Sequence, residues 1–167
     1  MKTIKKGTLL KIGVLVGACS LAVTVWAARQ DCWMTGGGSI FDTVEVTWTG
    51  RTTHGFELHC DRRNPNNLQI NWGGNRFHLE TLTSAVCTDD PTIEPNPPGA
   101  SFDTYDGAGD GRYNGAPGYC ADWRFTDAGE GGSGDYADIR ISDCAGTTVL
   151  SVQGYLTYGN HQAHSQN

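Results

Sequence analysis

Beyond its first 27 residues this chain places apolar side chains at every second position, in short runs, and has no long stretch with helical three- and four-residue spacing. Phe56, Leu58 and Cys60 form one such set, Leu68, Ile70 and Trp72 a second, and Tyr119, Ala121, Trp123 and Phe125 a third. A period of two puts alternate side chains on one face of a pleated strand, which is the pattern of an antiparallel sheet with one face buried. The sequence therefore predicts an all-β chain: a single antiparallel β-barrel or sandwich-like domain with one long Pro/Gly-rich loop.

Strands are expected at Ser39–Trp48, Thr53–Cys60, Asn67–Trp72, Asn75–Thr81, Ser84–Thr88, Tyr119–Thr126, Ala137–Asp143, Thr147–Gly154 and Tyr155–Tyr158. Gly73-Gly74 between two alternating runs reads as a hairpin turn. Residues 89–118 carry five of the six prolines with many Gly and Asp, and read as a long loop or a meander of short strands. Gly159–Asn167 reads as a polar tail.

The first residues resemble a secretory signal: Lys2, Lys5, Lys6 and Lys11, then an uncharged apolar run from Ile12 to Trp26, then Val25-Trp26-Ala27 before a cleavage point at Ala28. This predicts a signal peptide over 1–27 and one secreted domain over 28–167. The alternatives are a retained anchor helix and a lipid on Cys19, which ends the loose lipobox Val16-Gly17-Ala18-Cys19. Cleavage removes all four lysines. Eight basic residues then remain, every one arginine, against 18 acids, for a formal charge of −10. Such a surface repels phosphate backbones, so no nucleic-acid partner is expected.

Five cysteines follow the signal: Cys32, Cys60, Cys87, Cys120 and Cys144. In an exported chain such spacing predicts disulfides, and the lack of any CxxC excludes zinc-ribbon and thioredoxin-like sites. Pairing the Tyr119 and Ala137 strands with Phe125 opposite Ile139 sets Cys120 beside Cys144 and leaves Cys60 with Cys87, although it also sets Arg124 opposite Arg140. Cys32 is then a free thiol that could join two chains covalently. A pairing that uses Cys32 remains open.

Several residues are candidates for chemistry. Asp127, Glu130, Asp135 and Asp138 lie in and beside a Gly-rich turn with the carboxylates and flexible backbone that calcium requires, but without EF-hand spacing. The competing reading is a solvated turn. Asp103, Asp106 and Asp110 form a second cation candidate. His54, His59, His78, His161 and His164 have no fixed metal-ligand spacing, though a folded tail could bring His161 and His164 to His59 or His78. Glu57, Glu80 and Glu130 with Trp48, Trp72 and Trp123 would be the parts of a glycoside hydrolase. Yet no nucleophile elbow occurs, and Trp72 and Trp123 sit in the inward phase of their strands.

The segments Met34–Ile40 (MTGGGSI), Thr53–Asp61 (THGFELHCD), Asn75–Glu80 (NRFHLE), Phe125–Glu130 (FTDAGE) and Gly159–His164 (GNHQAH) resemble the bacterial secreted domain found after choice-of-anchor A modules in cell-surface proteins. The resemblance covers nearly all of residues 28–167 and implies a β-barrel-like secreted module with no assigned catalytic activity. Together these features predict a non-catalytic secreted or cell-surface structural or adhesion module, possible calcium stabilisation included. Its partners would be surface or matrix components. The alternatives are a β-barrel binding a small ligand or carbohydrate and, more remotely, a secreted hydrolase.

Overall fold

The computed structural model describes residues 32–41, 48, 50–95, 98–129, 131 and 134–166. The expected signal with Cys19, residues 42–47 of the first expected strand, and Glu130 lie outside the described residues. Among the described residues nine strands run in order: β1 Cys32–Phe41, β2 Arg51–His59, β3 Asn67–Trp72, β4 Asn75–Thr88, β5 Thr104–Tyr113, β6 Ala116–Thr126, β7 Tyr136–Asp143, β8 Thr148–Tyr155 and β9 Tyr158–Ser165. No helix among the described residues is long and apolar enough to cross a membrane.

The strands form one antiparallel sheet in the order β8-β7-β6-β5-β4-β3-β2-β1-β9. The first eight make a meander, and β9 returns to pair with the free side of β1. The sheet curls into a half-barrel, and β8 packs against β1 without joining its ladder. The concave face collects the alternating apolar residues, including Met34, Leu58, Leu68, Ile70, Phe77, Phe125, Ile139, Ile141 and Leu150, all 0% exposed. Each such side chain contributes about 1.5–3 kcal/mol by leaving water. Trp72 and Trp123 also lie inside.

Several expected boundaries are corrected. β1 starts at Cys32 and runs through Gly36-Gly37-Gly38. A Cβ on Gly36 would lie 2.7 Å from Asn160 O, and one on Gly38 2.5 Å from Tyr158 O. These glycines let β1 fit closely between β2 and β9 and do not mark a turn. The two strands expected across 75–88 are one, β4, with register shifts at Leu79/Thr81 and Leu82/Ser84 that bend it round the curl. The expected 89–118 loop contains β5 and the start of β6. The expected tail is β9.

The β6–β7 register differs from the expected one by two residues. Trp123 faces Ile139 and Phe125 faces Ala137. A two-residue slip keeps the same side chains inward, so hydrophobic patterning cannot distinguish the registers. Charge does: Arg124 now faces Asp138 and Asp122 faces Arg140, in place of two opposed arginines. Cys120 bonds Cys144 from a diagonal position, with Cα atoms 5.2 Å apart, and Cys60 bonds Cys87 across 5.8 Å. Two disulfides fit an oxidising compartment.

Candidate functional site

The acids of the Gly-rich turn are used at the edge of the sheet. The outer side of β9 presents backbone N–H groups that no strand receives. Asp135 accepts the His161 N–H at 2.6 Å on Oδ2 and the Ala128 N–H at 2.8 Å on Oδ1. Asp127 accepts the Ala163 N–H at 2.7 Å on Oδ2 and the Gly129 N–H at 2.9 Å on Oδ1. Two carboxylates thus stand in for a missing strand along the edge. Burial raises the Asp135 carboxyl above its usual range, and hydrogen bonds from His161 and Ala128 oppose the rise. Asp138 lies apart from them, on the outer face of β7.

The inward side of β9 places His161, 0% exposed, against His54 from β2. Their Nε2 atoms are 2.7 Å apart. His161 Nδ1 lies 2.9 Å from the Thr126 carbonyl, which can only accept, so Nδ1 carries the proton and Nε2 of neutral His161 is an acceptor. His54 Nε2–H therefore donates to it, and His54 Nδ1 is left bare and buried. His54 stacks on Phe56 and Phe125, its centroid 5.0 Å from that of Phe125, and His161 meets Phe56 edge-on and Phe125 at a tilt. Burial, with His161 adding to it, lowers the His54 pKa to about 3. Burial also lowers that of His161 to about 4, against the Thr126 carbonyl and the Asp127 charge. Both are neutral at ordinary pH.

The remaining histidines separate. His164 Nε2 lies 2.9 Å from Thr35 Oγ1, its ring stacks on Trp33, and Trp33 also faces His59. Trp33 therefore stands between His164 and His59, whereas His161 goes inside and His78 stands exposed on β4. Asp106 and Asp110 lie on β5, where Asp106 holds Arg124 at 2.7 and 2.9 Å. Asp103 precedes that strand and accepts Asp90 N–H and Thr104 O–H. Glu80 pairs with Arg112, and Glu57 sits opposite Thr35 on β1 and Asn67 on β3. Among the described residues, one group has metal-ligand spacing: Asp110 with Cys120 and Cys144. Those two sulfurs are bonded to each other and are not thiolates. Cys32 takes part in neither disulfide and is 9% exposed, so a covalent dimer through it would require the paired ends of β1 and β9 to part.

A concavity that sequence reading missed opens on the convex face, at the β3–β4 hairpin. It is a shallow groove of about 620 Å³, lined by Arg51, Thr53, Asn71, Asn75, Arg76 and Asn114 with the hairpin turn, and no carboxylate borders it among the described residues. Thr53, Asn71 and Arg76 are side by side on neighbouring strands. Asn75 Oδ1 accepts from Tyr113 O–H and Asn114 Nδ2, Asn114 Oδ1 from Arg76 N–H, and Asn71 Oδ1 from Gln69. All three amide oxygens are thus taken by protein donors, as is Asn114 Nδ2 by an acceptor, while the Nδ2 groups of Asn71 and Asn75 have no acceptor among the described residues. Trp48 flanks the turn: a Cβ on Gly73 would lie 2.8 Å from its ring.

No protein-family model matches this chain, and no curated protein or solved structure matches it.

Proposed function

We propose that this protein is a non-catalytic module of the cell surface or extracellular matrix that works by binding. The observation carrying this reading is the open, donor-lined groove at the β3–β4 hairpin, which suits an extended polymer better than an enclosed small molecule. Two features support it. Four of the candidate residues are engaged in the frame: His54 and His161 in the core, Asp127 and Asp135 at the β9 edge. The disulfides fit the export that the leader-like first 27 residues suggest. The motif resemblance to domains that follow choice-of-anchor A modules points the same way.

Co-sedimentation of the oxidised protein with isolated cell-envelope and matrix material tests the reading. Saturable adhesion without release of soluble fragments is expected. Absence of adhesion, or hydrolysis of the bound material, would overturn it. Calcium belongs to this reading only if an ion uses the lone pairs left on Asp127 and Asp135. A thermal melt raised by calcium and lowered by chelator would include it, and coincident melts would remove it.

A further inference from the structure

Resting on that binding reading, we propose that the β3–β4 groove is a site for an acidic oligosaccharide, one bearing carboxylate or sulfate groups along its length.

The charge distribution points there first. Excluding the leader-like segment, acids outnumber arginines by 18 to 8, so a free anion is repelled by the molecule as a whole. Most described arginines are engaged by acceptors. Arg62 donates to Thr83 O, Arg63 pairs with Asp61, Arg112 with Glu80 and Arg124 with Asp106, and Arg140 faces Asp122. Arg51 and Arg76 have no such acceptor among the described residues, and both line the one groove. Two exposed guanidiniums with no acid partner among the described residues are a place where an anion is favoured on this surface.

The neutral donors make the ligand more specific than a lone anion. Asn71 and Asn75 have their oxygens taken by protein donors, so the groove offers their amide N–H groups beside the guanidiniums. A polymer carrying both hydroxyl acceptors and anionic groups uses both kinds. Register sets the spacing. Arg76 lies on the Thr53–Asn71–Arg76 row, whereas Arg51 falls opposite the turn, two residues along and two strands away. Strands are about 4.8 Å apart and rise about 3.3 Å per residue, so the two Cα atoms are separated by roughly 12 Å. That exceeds the width of one small anion and suits successive acidic units. Trp48 at the rim offers an apolar ring for a sugar face.

The test is titration calorimetry of the oxidised protein with four probes: an oligogalacturonate, a sulfated dextran oligosaccharide, neutral dextran of the same length, and inorganic sulfate. At least one acidic oligosaccharide is expected to bind ten times or more tighter than both neutral dextran and sulfate. Raising the salt should weaken it, because the charges are exposed. The carboxylate and sulfate arms identify which anion is preferred. R51A and R76A should each weaken binding about tenfold or more, with Arg→Lys recovering part of the loss and R140A changing nothing. Melting midpoints should stay at the parent value, since neither guanidinium holds the fold. The proposal is overturned if neutral dextran or sulfate binds as tightly, if R51A/R76A binds like the parent, or if no acidic probe binds at low salt. Acidic-oligosaccharide binding without envelope adhesion would sink the surface-module reading and keep the groove. Envelope adhesion that survives in R51A/R76A would do the reverse.

Discussion

At the scale of single residues, the buried His54–His161 pair ties stability to pH. Their unfolded pKa is 6.5, against about 3 and about 4 in the fold. Above pH 6.5 both states are neutral and the pair carries no penalty. Between pH 6.5 and about 4 only the unfolded chain takes up protons, so stability falls as acid is added. At about 1.4 kcal/mol per unit, the loss by pH 4.5 is roughly 3–5 kcal/mol. Asp135, with its raised carboxyl, acts in the opposite sense at the acid end. Urea melts at pH 7, 6, 5 and 4.5 should show the decline. In His54→Phe the decline should be about half as steep, at a cost of about 1–3 kcal/mol at pH 7 for the bare His161 Nε2. A parent profile flat from pH 7 to 4.5 would contradict the pair's neutrality. Asp135 supports β9 by another route. Asp135→Ala strands the buried His161 N–H and the Ala128 N–H, and is expected to cost about 2–4 kcal/mol. If Asp135→Asn, which keeps one acceptor, loses just as much, edge capping is not the residue's role.

At the scale of elements, β5 shows what a sequence conceals. Its inward positions include Gly107, Gly109 and Gly111, and the rings and methyls of Trp123, Leu79 and Phe77 fill the space above them. The apolar alternation that marks β2, β3 and β6 is absent from β5, because neighbouring strands supply the side chains that cover it. An Asp/Gly-rich segment therefore reads as loop until its partners are known. A Cβ on Gly109 would lie 2.4 Å from both Leu79 Cδ1 and Thr81 O, and the second is backbone. Gly109→Ala is expected to lower the urea midpoint by an amount worth about 1–3 kcal/mol. The outward Ala108→Gly should cost less than about 1 kcal/mol. Equal effects would mean that β5 does not pack as described. The groove escaped notice for a related reason. Arg51, Asn71, Arg76 and Asn114 come from three hairpins, and nothing in their spacing marks them as neighbours. The Cys120–Cys144 pairing needed only that the two strands be adjacent, so it survived a register wrong by two residues.

At the scale of the molecule, closure depends on its last strand. The fold class was legible because the meander from β1 to β8 mostly alternates. β9 was not, since Gly159, His161 and Ala163 give its inner side no apolar period, and its outer edge is satisfied by carboxylates from the β6–β7 turn. Yet β9 pairs with β1 from Cys32 to Ser39, and it brings His161 into the core. Without it β1 becomes a bare edge strand whose Gly36–Gly38 run has no side chains to protect it. Asp127 and Asp135 lose two of their N–H partners, and the His54 donor loses its acceptor. A long exposed edge beside an opened core favours pairing with other chains. A chain ending at Thr157 is therefore expected to lose cooperative unfolding and to appear largely as soluble aggregate or inclusion material, even though both disulfides lie within the retained residues. Adding a peptide of residues 158–166 in trans should restore part of the cooperative melt by strand addition, and the same peptide with His161→Ala should restore less. Size-exclusion chromatography with circular-dichroism melts decides the point. A monomeric Thr157 truncation that melts like the full chain would show that the fold does not depend on β9.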